Sequence, residues 1–354
     1  MNNNSPAYDL PSDKPDGGSS RRDFLKLASA AGFASTWGLD ALAETKADDA
    51  TGGTKVATTH RSPKSSNVAP HESVPGRNIA INGVNYHVGE QGAGEKVVVL
   101  LHGMPDTSSV WRHQIPALVK AGYRVIVPDL LGYGETEKPA EVARYQGEKL
   151  IADALTMLDT LQLSKVDLVG HDWGGFLSWE LALAVPDRVR RHVVISTGHP
   201  DGFSDWMANP QNVKENWYMF LNTQEKTAEL YAANDGACLK SVLLPTHPEI
   251  DEVWSRMRDP AAMTGMLNWD KANQVAALYL AETTRRSPPR MCHVPTLGLW
   301  SSNDAYMWEG QMTQAADRMS APWRYHRIEN ASHWAMLDQP ERVNEQMLRW
   351  LNQL

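Results

Sequence analysis

The chain has 354 residues, enough for one large domain or two, and its formal net charge at pH 7 is −8. An acidic balance of this kind argues against a nucleic-acid partner and against a basic membrane-binding patch. The two cysteines, Cys238 and Cys292, exclude a disulfide scaffold and a cysteine-built metal site, and the sequence leaves open whether they pair or stay free.

The first 43 residues carry the features of an export signal. Residues 20–26 resemble the twin-arginine motif, an alanine-rich apolar stretch follows at 27–39, and residues 41–43 fit an A-x-A cleavage site. We therefore expect export by the twin-arginine translocase and a periplasmic or secreted mature protein. Residues 44–76 are rich in Thr, Ser, Pro and Lys without periodicity, which predicts a disordered linker.

Strands and helices are predicted to alternate over residues 77–200, the first part of a core domain. An Asn-Gly pair at 82–83 lies between two alternating runs, which is typical of a β-hairpin. Apolar or alternating patterns predict the following further strands: 97–101, 123–127, 165–169 and 192–195. Helical patterns lie at 111–119, 150–161 and 176–185. This alternation predicts a mostly parallel, doubly wound α/β sheet.

The alternation stops after Pro200. Residues 201–290 are rich in Trp, Met and Ala, with helical patterns and no convincing strand, so we expect a helical cap over the carboxyl edge of the sheet. Residues 291–354 are predicted to complete the core, with strands at 296–300 and 324–328 and a final amphipathic helix.

A glycine-flanked aspartate forms the most informative motif of the chain. Gly170, Asp172 and Gly174 belong to a G-x-D-x-G pattern between a predicted strand and a predicted helix. This is the context of a nucleophile elbow, with a carboxylate in place of the usual serine. Asp304 and His333 each follow a later predicted strand, in the nucleophile, acid, histidine order of α/β-hydrolases.

From about Gly76 onward the chain resembles α/β-hydrolases of the soluble epoxide hydrolase and haloalkane dehalogenase group. The matching motifs are His-Gly-Met-Pro at 102–105, Asp-Leu-Leu-Gly-Tyr-Gly at 129–134, His-Asp-Trp-Gly-Gly at 171–175 and Ser-His-Trp at 332–334. The resemblance implies that Asp172 attacks saturated carbon to form an alkyl ester. It further implies that His333, oriented by Asp304, activates the water that hydrolyses this ester.

The resemblance also implies an oxyanion hole and a substrate pocket. The backbone N–H groups of Met104 and Trp173 are expected to hold the oxyanion, and His102, in the same loop motif as Met104, is expected to belong to the oxyanion hole and substrate pocket. Trp269 and Asp270 are expected to contact the substrate from the cap.

Epoxide hydrolases of this group use two cap tyrosines to protonate the opening epoxide. Residues 216–220 resemble the segment that carries the first, which makes Tyr218 the expected acid. The family segment of the second reads Leu-Asn-Trp-Tyr, whereas here residues 267–270 read Leu-Asn-Trp-Asp. Asp270 serves as the same donor only if its pKa is strongly raised.

Epoxide hydrolysis, with a small apolar organic substrate and water, is the leading hypothesis. In the alternative, a haloalkane dehalogenase, the indole N–H of Trp173 would bind halide. A cap tryptophan would then supply the second donor, because Met104 stands where many dehalogenases carry asparagine. The candidate cap tryptophans are Trp206, Trp217, Trp254 and Trp269. A third reading is a non-catalytic binding protein on the same fold. No metal, phosphate-loop or dinucleotide motif occurs, so no cofactor is expected.

The export hypothesis is tested by changing Arg21 and Arg22 together to Lys. We expect the precursor to stay in the cytoplasm because the paired arginines carry the motif, and cell fractionation with immunoblotting measures this. Arg61→Lys, outside the signal, is the control and should leave export unchanged. Mature protein in the periplasm of a strain lacking the twin-arginine translocase would contradict the hypothesis.

Overall fold

A computed structural model describes residues 73–203, 214, 216–273 and 289–353 of the chain. The predicted export signal and nearly all of the predicted linker lie outside these residues. Among the described residues, no helix has both the length and the apolar composition needed to cross a membrane. The two cysteines are free thiols, of which Cys292 is buried and Cys238 is half-buried.

One eight-stranded sheet forms the centre of the described structure. Its strands in chain order are β1 (Gly76–Ile81), β2 (Val84–Gln91), β3 (Lys96–Leu101), β4 (Tyr123–Pro128), β5 (Val166–His171), β6 (Val189–Ile195), β7 (Thr296–Ser301) and β8 (Trp323–Ile328). The spatial order is β1-β2-β4-β3-β5-β6-β7-β8. The β1–β2 and β2–β4 pairs are antiparallel and all other pairs are parallel. The predicted α/β-hydrolase fold class is thereby confirmed.

The hairpin between β1 and β2 follows from its two turn residues. Asn82 and Gly83 have φ angles of 49° and 82°. Positive φ at both central residues is the requirement of a type I′ turn, and the Asn-Gly pair satisfies it without strain. The hairpin predicted from this pair is confirmed.

Burial of the strands follows their position in the sheet. Every residue of β5 and β7 is buried, whereas the edge strands β1 and β8 are largely exposed or half-buried. Strands covered on both faces need apolar side chains on both, which explains the continuous apolar runs. The central strands therefore form a rigid base from which the following loops project.

The helices of the core connect these strands. They are α1 (Gln114–Lys120), α2 (Gly147–Thr160), α3 (Asp172–Ala184), α8 (Glu309–Thr313), α9 (Ala335–Asp338) and α10 (Pro340–Leu351). Helix α1 packs against α10, and α2 packs against α3. Helix α3 begins four residues before the predicted start at residue 176 and includes the candidate nucleophile.

The inserted cap between β6 and β7 is helical in the part that the structure describes. Its helices are α4 (Trp217–Asn222), α5 (Thr227–Cys238), α6 (Ile250–Met257) and α7 (Pro260–Asn273). Helix α5 is broken near its end, where Asn234 and Asp235 have φ angles of 51° and 54°. Helix α7 packs against α4, α5 and α6, so it is the central helix of the described cap.

Ordered contacts begin before the end of the predicted 44–76 linker. The Val74 side chain is fully buried, and its backbone N–H donates to Ser108 Oγ at 2.9 Å. The Ser73 hydroxyl donates to the carboxylate of Asp129. Residues 73–75 therefore join the core, and strand β1 begins at Gly76.

Arg290 joins the two ends of the cap to the core. Its guanidinium donates to Glu180 Oε2 on α3 at 2.7 Å and to Asp201 Oδ1 at 2.6 Å. The Arg290 backbone N–H donates to Asp201 Oδ2 at 2.7 Å. Asp201 lies just after β6, where the chain leaves the core, and Arg290 lies just before it re-enters. Glu180 is 1% exposed, so Arg290 offsets the cost of burying its carboxylate.

We expect Arg290→Ala to lower the free energy of unfolding by roughly 3–5 kcal/mol, because the buried Glu180 carboxylate loses its partner. Urea unfolding followed by circular dichroism measures the change. The control is Arg349→Ala, whose pair with Glu345 is exposed and contributes less than about 0.5 kcal/mol. Equal unfolding midpoints for the two variants would contradict the expectation.

Candidate active site

The candidate nucleophile Asp172 occupies the sharp turn between β5 and α3. Its φ angle of 52° lies in the left-handed region that side-chain-bearing residues rarely adopt. A Cβ atom on Gly170 would approach the carbonyl oxygen of Gly174 to 2.4 Å. A Cβ atom on Gly174 would approach that of Leu101 to 2.3 Å. The two glycines thus allow the close packing that holds this turn.

A neighbouring loop supplies the first contact of Asp172. Strands β3 and β5 are adjacent and parallel, so their following loops meet at the carboxyl edge of the sheet. The Met104 backbone N–H, in the loop after β3, donates to Asp172 Oδ1 at 2.7 Å. The sheet order reverses at this point, which is where open α/β sheets form their binding crevices.

His333 lies between Asp172 and Asp304. Its Nδ1 donates to Asp304 Oδ2 at 2.7 Å, and its Nε2 lies 3.5 Å from Asp172 Oδ2. Asp304 Oδ1 accepts the backbone N–H groups of Tyr306 and Met307 at 2.9 and 3.0 Å. These contacts orient the Asp304 carboxylate, and that carboxylate orients the imidazole ring of His333. The three predicted catalytic residues are therefore brought together.

The charges of Asp172, His333 and Asp304 determine which of these side chains are protonated. Burial disfavours the imidazolium, but Asp304 and Asp172 outweigh it and raise the pKa of His333 to about 10. Burial likewise opposes ionisation of Asp172, but the hydrogen bond and charge of His333 lower the pKa of that carboxyl. The resting site therefore holds an Asp172 carboxylate beside a protonated His333.

His171, immediately before the candidate nucleophile, positions His333. Its Nε2 donates to the backbone carbonyl of His333 at 3.0 Å, and the two ring centroids are 4.5 Å apart. Burial and the charge of His333 lower the pKa of His171 to about 4. His171 is therefore neutral and adds no second positive charge.

His102 connects two loops and does not contact Asp172. Its Nδ1 donates to the Gly103 carbonyl at 2.9 Å, and its Nε2 accepts the Leu130 backbone N–H at 2.9 Å. Burial lowers the pKa of His102, which keeps the ring neutral. Both ring nitrogens are used by the backbone, so His102 supports the loop that carries Met104 and is not itself a substrate-binding donor.

Two tyrosines lie on the cap side of the catalytic group. Tyr218 on α4 is 7% exposed, and burial followed by the charge of Asp172 raises its pKa well above the ordinary value. Its ring meets that of Tyr306 edge-on at 5.9 Å. Tyr306 also meets the His333 ring edge-on at 5.2 Å, and its hydroxyl donates to the Leu243 carbonyl at 2.9 Å. Tyr218 thus reaches the catalytic group through Tyr306.

Asp270 is a buried carboxyl on α7 with an amide partner. It is 3% exposed, and Asn222 Nδ2 donates to its Oδ2 at 2.5 Å. Asn222 Oδ1 in turn accepts the Tyr231 hydroxyl at 2.7 Å. Burial raises the pKa of Asp270 to about 7, with the Asp172 charge adding to the effect and the Asn222 hydrogen bond opposing it.

The geometry described above agrees with the comparison with known proteins. The sequence profile of the alpha/beta hydrolase fold matches residues 96–340. The chain belongs to the alpha/beta hydrolase fold family.

Several relatives of this hydrolase are named epoxide hydrolases. Epoxide hydrolase 4 of Homo sapiens is 31% identical over 291 residues, which cover 78% of each chain. An epoxide hydrolase of Caballeronia sordidicola is 30% identical and covers 77% of this chain and 92% of its own. A solved structure described as one of the novel epoxide hydrolases in metagenomes from hot environments is 27% identical. It has a TM-score of 0.70 over 80% of this chain and 100% of that chain.

Two of the tryptophans considered as halide donors already donate their indole N–H groups to protein oxygens. Trp173 lies 5.4 Å from Trp269 between ring centroids. The indole N–H of Trp269 donates to the Leu131 carbonyl at 2.8 Å, and that of Trp254 donates to Asp235 at 2.9 Å. Trp217 is 40% exposed. Trp206, the remaining candidate halide donor, lies outside the described residues.

Sequence reasoning missed a buried polar network beneath the loop that carries Met104. Asp106 accepts the indole N–H of Trp334 at 2.8 Å and lies 3.3 Å from His247 Nε2. Arg256 on α6 lies 3.9 Å away. Burial opposes ionisation of Asp106, but these cap residues lower its pKa. The cap is therefore tied to the Met104 loop by charge, which only the folded arrangement reveals.

Tyr306 and Tyr133 were also missed. Tyr306 stands two residues after Asp304, and that spacing alone is no recognised signal. Tyr133 lies in a quoted motif, yet nothing in the motif shows that its hydroxyl is buried without a hydrogen-bond partner among the described residues. In the same residues, no group of three His, Cys, Asp or Glu side chains is arranged to hold a metal ion.

The charge coupling within the catalytic group predicts the outcome of one substitution. Asp172→Asn removes one of the two carboxylates that stabilise the imidazolium, so the pKa of His333 should fall below its value of about 10. Titration of labelled histidine by NMR measures it. Asp159→Asn, a remote and exposed carboxylate, should leave the His333 pKa unchanged. A pKa that stays near 10 in Asp172→Asn would contradict the coupling.

Proposed function

We propose that this protein is an epoxide hydrolase that converts a small apolar epoxide and water to a vicinal diol through a covalent ester on Asp172. The observation that carries the proposal is the Asp172 carboxylate held between the Met104 N–H and His333. The relatives named epoxide hydrolases support the choice of substrate class. The connected catalytic group disfavours the reading as a non-catalytic binding protein.

In the first step, Asp172 attacks a ring carbon of the epoxide. A carboxylate is already charged at neutral pH and needs no base, unlike a serine hydroxyl. Oδ1 stays with the Met104 N–H, so Oδ2 is the attacking oxygen. A carbon–oxygen bond forms at Oδ2, and the ring carbon–oxygen bond breaks with its electron pair moving to the epoxide oxygen.

The epoxide oxygen becomes a basic alkoxide and needs a proton. Tyr218 is the donor that the family resemblance assigns. Burial and the nearby carboxylates hold its pKa high, so the hydroxyl keeps its proton throughout the physiological range and is available as a donor. The edge-on packing of Tyr306 against both Tyr218 and His333 supports a position beside the reacting carboxylate.

In the second step, His333 activates the hydrolytic water. Ester formation neutralises Asp172 and removes one of the charges that raise the pKa of His333. The imidazolium therefore becomes a stronger acid after alkylation and can release its proton, which converts it to the base that the water requires. Hydroxide then attacks the ester carbonyl carbon, and the Met104 N–H stabilises the oxyanion that forms on the former Oδ1.

The polar groups of the cap favour epoxide over alkyl halide. A halide is a weak base and needs only N–H donors. The indole N–H groups of Trp254 and Trp269 already donate to protein oxygens, which leaves them unsuited to bind a halide. Tyr218 and Asp270 are instead buried hydroxyl and carboxyl groups, the kind that an alkoxide requires.

We further propose that the mature enzyme acts in the periplasm or outside the cell. The twin-arginine motif, the apolar stretch and the cleavage site in the first 43 residues support this location. These residues lie outside the described structure, and the export test above addresses them.

The proposed function predicts a trapped intermediate. With styrene oxide, His333→Gln should still allow attack by Asp172 but should stall ester hydrolysis, so intact-protein mass spectrometry should detect one added substrate mass. Peptide mapping should place it on Asp172. His293→Gln, an exposed histidine, is the control and should turn over without an adduct. An adduct on a serine, or full turnover by Asp172→Ala, would contradict the mechanism.

A further inference from the structure

We propose that the carboxyl group of Asp270 is the second proton donor to the opening epoxide, acting as a neutral acid beside Tyr218. The inference rests on the proposed function and deepens it. It assigns a role to the position where this sequence departs from the two-tyrosine pattern of the group. Three observations carry it: the place of Asp270 in the cap, its isolation from cations, and the orientation of its amide partner.

The packing of α4 and α7 places Asp270 beside Tyr218. Tyr218 and Asn222 are four residues apart on α4 and therefore share one face of that helix. Asn222 holds Asp270 Oδ2 at 2.5 Å. The residue before Asp270, Trp269, packs against Trp173, which directly follows the nucleophile. Asp270 thus lies on the same side of the reaction centre as Tyr218.

Among the residues that the structure describes, the groups that face Asp270 contain no cation to stabilise its ionised form. Those on the packed elements are Asp172 at the start of α3, Tyr133 in the loop after β4, Tyr218 on α4 and Tyr231 on α5. Asp172 is a carboxylate, so its charge repels a second one. The resulting pKa of about 7 leaves Asp270 largely protonated in mildly acidic solution and about half protonated at pH 7.

Asn222 determines which oxygen of Asp270 carries the proton. The Tyr231 hydroxyl donates to Asn222 Oδ1, which orients the amide so that Nδ2 donates to Asp270 Oδ2. In a neutral carboxyl group, the oxygen that accepts this hydrogen bond is the carbonyl oxygen, and the other oxygen carries the proton. Oδ1 is therefore the oxygen that holds it. Asn222 and Tyr231 position the acid without touching the substrate.

The proton balance closes over one turnover. As Asp172 bonds to the epoxide carbon and the ring bond breaks, the Asp270 proton moves to the epoxide oxygen and leaves a hydroxyl group and the Asp270 carboxylate. Water then hydrolyses the ester: His333 takes one proton from water and returns it to the departing alcohol oxygen. The released Asp172 carboxylic acid loses its proton to solvent, and Asp270 regains one. His333 likewise regains from solvent the proton that it released to solvent after alkylation. The sum is epoxide plus water to diol.

Tyr133 is the rival donor. It is 1% exposed, its hydroxyl has no hydrogen-bond partner among the described residues, and Asp172 and Asp270 both raise its pKa after burial. Its ring meets His102 edge-on at 5.3 Å. The two candidates differ in acidity, since a tyrosine donates up to a pH of 10 or above whereas Asp270 loses its proton near pH 7.

The test measures the rate of adduct formation in the His333→Gln background, with styrene oxide, by rapid quench and mass spectrometry from pH 5 to pH 9. The background rate should fall above pH 7 towards a lower plateau that Tyr218 sustains. Asp270→Asn should slow alkylation at pH 6 on the order of a hundredfold and remove the fall above pH 7. Asp270→Tyr should restore the rate without the fall, and Tyr133→Phe should retain the fall.

Stability provides a readout independent of activity. A carboxyl whose pKa is raised from about 4 to about 7 on folding contributes stability that is present below pH 4 and is lost as the pH rises through 7. The urea midpoint of the native protein should therefore fall relative to that of Asp270→Asn across this range. Tyr133→Phe should show no such change relative to the native protein.

Several outcomes would overturn the inference. They are unchanged alkylation at pH 6 in Asp270→Asn, a hundredfold loss in Tyr133→Phe, or a urea midpoint difference that does not vary with pH. An adduct on Asp172 together with any of these results would remove only the role of Asp270. Absence of an adduct with a panel of terminal and internal epoxides would remove the proposed function, and this inference with it.

Discussion

The position of His333 between two carboxylates is the interaction on which the site depends. Asp304 and Asp172 reach it from the ends of β7 and β5, strands that are separated in the sheet only by β6. The contacts of 2.7 and 3.5 Å therefore depend on the register of parallel strands that are buried along their whole length. A buried imidazolium without these partners would be unstable, and the partners without it would repel each other. The sheet geometry places the two carboxylates around His333, and the positive charge of His333 allows the two carboxylates to lie this close together.

In the cap, too, the neighbours of a buried carboxyl group determine whether that group is ionised. Asp106, Asp172 and Asp270 are all buried carboxyl groups, yet their partners differ. Asp106 has an indole, a histidine and an arginine, whereas the one hydrogen-bond partner of the Asp270 carboxyl in the described part of the chain is an amide. Since desolvation acts on all of them, the partner decides which group stays ionised. The site therefore separates its acids by environment and not by residue type.

Much of this arrangement could be predicted from the sequence. Asp172, Asp304 and His333 each follow a strand, and the ends of parallel strands meet at one edge, so their proximity follows from topology alone. The predicted start of α3 was four residues late because Gly174 and Gly175 read as turn residues, although the helix starts at Asp172. Gly174 allows close packing against β3 and Gly175 allows close packing against Thr197 and β6, and both lie within the first turn of the helix.

The contacts of the cap could not be predicted in the same way. The partners of Asp270 lie on α4 and α5, and those of Asp106 come from α6, from the loop before it and from the residue after His333. The periodicity of each cap helix marks its own apolar face but does not show which faces of different helices meet. The chemistry of a carboxyl group shows that Asp270 needs a raised pKa to act as a proton donor. The cause of the raised pKa, burial away from cations among the described residues, depends on packing that the sequence does not reveal.

The hydrogen bonds of Arg290 with Glu180 and Asp201 affect how substrate specificity can change in such an enzyme. One side chain holds the exit and the return of the inserted chain on a single helix of the core. The distance between the two ends of the insertion is therefore set by the core and is independent of what lies between them. Loop closure depends only weakly on the length of the intervening chain, so lengthening or replacing the insertion changes the entropy of folding little. Substitutions in the insertion can then change substrate specificity while the residues at the strand ends keep their positions. Arg290, Glu180 and Asp201 hold the two ends of the insertion in place throughout.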